Sequence, residues 1–143
     1  MDNLKAEVRK SFRTEMFAFG LYTVLGRQYK NFKPNFGEHL QEAGKQEHMH
    51  GRIFKHFYHK QYNIELKEEK VCIAVGKCVG HLLRPMPLNK KLKMISGNEA
   101  KVAVEIEKKI AEGGNKDYIK ALKRILPDEI AHSKIYSEAF EAK

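Results

Sequence analysis

A chain of 143 residues, 42% of them apolar, is long enough for one compact domain with a sizeable core. Its formal charge of +9 comes from Lys and Arg spread over every segment without a dense block, which argues against nucleic-acid binding and for a solvated basic surface. Cys72 and Cys78 fit neither a CxxC redox motif nor a zinc knuckle, no apolar run reaches 18 residues, and the start at Met1 lacks the apolar segment of a signal peptide, so a reduced, cytoplasmic protein with no membrane span is expected.

From about Asn3 to Lys30, Leu4, Val8, Phe12, Phe19, Tyr22 and Tyr29 keep helical phase, and Glu15 falls in the gap between Phe12 and Phe19. The run Asn31-Phe32-Lys33-Pro34-Asn35 breaks this helix. A second helix from about Phe36 to Tyr62 puts Phe36, Leu40, Ala43, Glu47, His50, Phe54 and Phe57 on one three-four stripe, with Glu47 and His50 one turn apart on the same face. A buried carboxylate and imidazole at positions that otherwise take Leu or Ile need compensation, and a metal ion is the first candidate.

A third amphipathic piece, about Leu66 to Leu83, carries Val71, Ala74, Val75, Cys78, Val79 and Leu82; it reads as a crossover that returns the chain from one end of a bundle to the other. Arg84-Pro85-Met86-Pro87 ends it. Leu88, Leu92, Ile95, Glu99, Val102, Ile106 and Ile110 then form another stripe, followed by the short turn Gly113-Gly114-Asn115. The last helix, about Lys116 to Phe140, places Tyr118, Leu122, Ile125, Glu129, His132, Tyr136 and Ala139 on one face, with Pro127 expected to bend it or to divide it into two shorter helices.

Glu-x-x-His pairs are common by chance, but these two share a register. Glu47 follows Phe36 by 11 residues and Glu99 follows Leu88 by 11; Glu15 precedes Asn31 by 16 and Glu47 follows it by 16. In an up-down bundle with a crossover, Glu15, Glu47, Glu99 and Glu129 therefore meet at one level. Glu105 and Glu107 lie too near the Gly113 turn and off the stripe. The halves repeat as a helix with an inward Glu, a turn and a helix with Glu-x-x-His, the arrangement of a dinuclear site. The expected ligands are Glu15, Glu47, His50, Glu99, Glu129 and His132, four carboxylates offsetting two divalent cations. Oxygen and imidazole donors suit iron or manganese. Tyr22, Tyr118 and Tyr136 are positioned either to hydrogen-bond ligand carboxylates or simply to fill the core. His48 is expected at the surface, and His39, His56, His59 and His81 have no partner at ligand spacing. Gly20, Gly26, Gly44 and Gly51 read as places of close helix approach.

On these residues the chain resembles the ferritin-like diiron-carboxylate superfamily, and more closely its rubrerythrin branch. The resemblance rests on the helix carrying Glu15, the Glu47-x-x-His50 helix, the crossover, Gly97-Asn98-Glu99, and Leu126-Pro127-Asp128-Glu129-Ile130-Ala131-His132. It implies an all-α, ferritin-like four-helix bundle with an extra crossover helix between helices two and three, binding two iron ions that react with peroxide or dioxygen in a peroxidase or ferroxidase. It is also similar to rubrerythrin-type domains that precede some membrane iron transporters, which implies the alternative of an iron-binding or iron-sensing module with little turnover. Two departures stand out. Rubrerythrins usually have a further ligand glutamate near the position of Ser96, and they often carry a CxxC-bearing rubredoxin domain that is lacking here, so a separate electron donor is implied. A metal-free scaffold that docks a partner through its basic surface is the third reading, and apolar residues such as Phe17 and Tyr58, expected to be exposed, raise the option of a homodimer.

Overall fold

The computed structural model describes residues 3–141, which form six helices and no strand. In chain order they are α1 (Asn3–Gln28), α2 (Phe36–Tyr62), α3 (Glu69–Leu82), α4 (Leu88–Glu112), α5 (Lys116–Ser133) and α6 (Ile135–Phe140). The stripes account for the helices, and the order of hairpin, crossover helix and hairpin is that of the all-α, ferritin-like class that the resemblance implies. The chain divides into two compact units, the first ending at Leu82 and the second beginning at Leu83.

In the first unit α1 packs against α2 and α3. Every member of the α2 stripe is buried, from Phe36 through Leu40, Ala43, Phe54 and Phe57, with Glu47 and His50 among them. The helix is bounded at both ends by asparagines in the left-handed region, Asn35 at φ 62° and Asn63 at φ 54°, a conformation that Asn tolerates better than most residues. Asn63 N–H donates to the His59 carbonyl at 2.8 Å and closes the last turn. The two helices come close at Gly26 and Gly37. A Cβ on Gly26 would stand 2.9 Å from the Gly37 carbonyl oxygen, and one on Gly37 would stand 2.6 Å from that of Gly26.

The crossover differs from its sequence reading. It is helical only over Glu69–Leu82, and it turns Gly76 and Gly80 toward α1 while Val71, Val75 and Leu82 are exposed. A Cβ on Gly76 would overlap the Phe17 carbonyl, and one on Gly20 would overlap that of Ile73. At that backbone separation no side chain fits between the helices, so glycines make the contact and the aliphatic row faces out. Phe17, whose carbonyl α3 approaches at Gly76, is half-buried, and Tyr58, only 3% exposed, is not a surface residue. Neither is the exposed apolar residue that the sequence suggests.

In the second unit α4 and α5 form a hairpin. Gly113 (φ 78°) and Gly114 (φ 123°) supply a turn that side chains would strain, and Asn115 Oδ1 caps α5 by accepting from Tyr118 N–H at 3.0 Å. Helix α5 runs unbroken through Pro127. The break comes further on, at Lys134 between α5 and α6. There the Ser133 hydroxyl donates to the Ile130 carbonyl at 2.5 Å and Lys134 N–H bonds the Ala131 carbonyl, tightening the final turn.

Candidate metal centre

In the first unit α1 supplies Glu15 and α2 supplies Glu47 and His50. They are 6%, 1% and 0% exposed. His50 Nδ1 lies 3.7 Å from Glu15 Oε2 and 3.6 Å from Glu47 Oε2. Two donors each about 2.1 Å from one ion stand about 3–3.5 Å apart, so the triad is close to a chelating geometry. Burial, and then the Glu47 carboxylate beside it, hold the Glu15 carboxyl well above the usual range; His50 pulls the other way without prevailing.

In the second unit Glu99 on α4 meets Glu129 and His132 on α5, each offering a ligand atom within 4.8 Å of the other two. Glu129 and His132 are buried and Glu99 is half-buried. All six residues expected to be ligands thus gather into two carboxylate-carboxylate-imidazole triads, one in each unit. The exposed His39, His56, His59 and His81 join no metal-ligating group among the described residues, and Glu105 and Glu107 are exposed as expected.

Several neighbours depart from their sequence reading. His48 is half-buried rather than at the surface: its Nε2 lies 3.1 Å from Glu69 Oε1, and its ring packs on Phe19 at 4.6 Å between centroids. Ser96 is buried, and its Oγ accepts from Tyr136 N–H at 3.0 Å, which ties α4 to the first turn of α6. Lys91 is fully buried. Its signal is present in the sequence, since it stands three residues after Leu88 and four before Ile95, on the apolar stripe. Tyr22 and Tyr118 are buried and Tyr136 is half-buried.

Two inward carboxylates and an imidazole per helical hairpin define a class, the ferritin-like carboxylate proteins, whose donor sets suit divalent transition metals. Within that class the chain belongs to the rubrerythrin family, whose profile matches residues 7–140 and so runs through both units. No curated protein and no solved structure matches the chain.

Proposed function

We propose that this chain is a non-haem diiron protein of peroxidase or ferroxidase type, read as a single domain over 1–143 because the family match runs through both units. The observation that carries the reading is the pair of Glu-Glu-His triads, buried in all but the half-buried Glu99. Each triad would hold mainly one ion, Glu15, Glu47 and His50 the first and Glu99, Glu129 and His132 the second. The donors fit, because two carboxylates and a neutral imidazole balance one divalent charge and no thiolate is among them. Iron is the family's metal, and manganese suits the same donors.

When bound, a ferrous pair supplies two electrons to an O–O bond. The residues of the chain do the rest. Burial and the neighbouring Glu47 press Glu15 toward its protonated form, and ligation needs its carboxylate, so loading is expected to be favoured as pH rises. The apolar stripe on either side of Glu47 and His50, from Leu40 to Phe54, keeps water from the triad. Cys72 and Cys78 are free thiols, in keeping with a reducing, cytoplasmic setting. Anaerobic ferrous loading followed by stopped-flow mixing with peroxide or dioxygen tests the proposal. Oxidation faster than that of iron in buffer, and slowed in His50→Ala, is the expected result.

One observation favours the second reading, an iron-binding or iron-sensing module with little turnover. At Ser96, where rubrerythrins usually carry a further ligand glutamate, the hydroxyl is engaged by Tyr136 N–H. Tight reversible iron binding with oxidation no faster than in buffer would select this reading.

A further inference from the structure

A cleft of about 550 Å³ opens on the first unit, lined by Lys5, Arg9, Lys10, Arg13, Thr14 and Tyr58. None of these residues belongs to the Glu15, Glu47 and His50 triad. Lys5, Arg9 and Arg13 stand at successive steps of four on α1, a cationic row about 12 Å long at 1.5 Å per residue, with Lys10 beside it. Glu68, in the segment leading into α3, organises the row. Its Oε1 accepts from Arg9 Nε at 2.7 Å and from Arg13 Nε at 2.9 Å, while Oε2 accepts from the Lys67 backbone N–H at 3.1 Å.

One anchored oxygen therefore holds two guanidinium groups side by side through their Nε atoms. Each fork retains its terminal nitrogens for another acceptor, and the two side chains are 48% and 50% exposed. Among the residues that line the cleft, cations outnumber the Glu68 carboxylate that joins the two arginines, and Lys5 also stands with its Nζ 5.5 Å from the Tyr62 ring centroid. The buried Tyr58 forms a fixed aromatic wall to the cleft.

We propose that this cleft binds a small polyphosphate anion, inorganic or as the phosphate chain of a nucleotide. The terminal nitrogens of Arg9 and Arg13 take phosphoryl oxygens in forked pairs, and Lys5 and Lys10 meet the charge further along the chain. A single orthophosphate would engage the arginine pair alone and leave the lysines unmatched, so it binds more weakly.

Isothermal calorimetry at about 0.15 M salt, where diffuse surface attraction is screened, tests the assignment on the purified protein. Metal content is measured before and after each titration, so that stripping of bound metal is not read as binding. Tripolyphosphate is expected to bind at one site per chain, more tightly than orthophosphate or citrate. The double variant Arg9→Gln, Arg13→Gln should lose at least about tenfold in affinity, because each change removes charged hydrogen bonds. A control double variant of exposed lysines on α5, Lys120→Gln with Lys123→Gln, should stay within about twofold of the parent. Equal affinity for tripolyphosphate and a nucleoside triphosphate assigns recognition to the phosphate chain, and tighter binding of the nucleotide adds its base; both sustain the site. No saturable binding, equal losses in the two double variants, citrate binding as tightly as tripolyphosphate, or an oligonucleotide binding more tightly than either phosphate ligand would each overturn it.

Discussion

Glu15 and Glu47 illustrate what a buried carboxylate costs and what it is kept for. In the metal-free protein Glu15 is pressed toward its neutral form by burial and by Glu47, so the cluster is a source of instability until a cation arrives. Glu15→Gln keeps the shape and removes the charge. At pH 8 the metal-free variant should melt at or above the parent's temperature while its bound metal falls. A melting temperature several degrees below the parent's would show that the carboxylate itself holds the fold. These residues are legible in the sequence because a polar side chain on a three-four apolar stripe contradicts its surroundings. His48 is not, because its partner Glu69 lies on another helix and its ring rests on Phe19 of a third, contacts that no spacing along the chain announces.

The hairpin helices are readable from their stripes, and their boundaries follow from Asn35, Pro87 and the Gly113 turn. Helix α3 defeats that reading for a physical reason. Hydrophobic periodicity locates an apolar face, but here the buried face is glycine and the aliphatic row of Val71, Val75 and Leu82 points away from α1. Gly76→Ala should push α3 off Phe17 and destabilise the protein by about 1–3 kcal/mol, the usual cost of overpacking. A chain of this size would then melt about 2–4 °C lower per kcal/mol. Gly97→Ala, at a position open on all sides, is the matched control and should leave stability unchanged or slightly raised. At the other end of the chain, the sequence offers Pro127 as a bend or a break in one helix reaching Phe140, whereas α5 runs through Pro127 and the interruption falls at Lys134. The contact that seats α6 is testable: Ser96→Ala removes the acceptor for Tyr136 N–H in a buried setting and should cost about 1–3 kcal/mol in a denaturant melt.

Over the whole molecule, charge is spread widely, and one feature of that distribution sets acid behaviour. Burial raises the Glu68 carboxyl, but hydrogen bonds from Arg9 and Arg13 outweigh it and hold the group down to about 2 against an ordinary 4.5. A depressed folded value means that this stabilisation is complete above about pH 4.5 and is lost as pH falls toward about 2. The arginines are half-exposed, so the contribution is modest, about 0.2–1 kcal/mol per pair. Chemical denaturation between about pH 5 and pH 2 should show a Glu68→Gln variant losing less stability than the parent over that range; identical slopes would remove Glu68 from this role. What could not be read from the sequence at this scale is the basic cleft, because Glu68 lies 55 residues from Arg13 and only the fold joins them.

If the two triads hold two metal ions, the metal content of each chain will show it. Protein loaded anaerobically with ferrous iron, desalted and measured by mass spectrometry should carry about two ions per chain, falling to one or none in Glu47→Ala with helical content unchanged. Near-zero metal after loading would refute the dinuclear centre, and two ions retained in Glu47→Ala would refute the place of Glu47 in it.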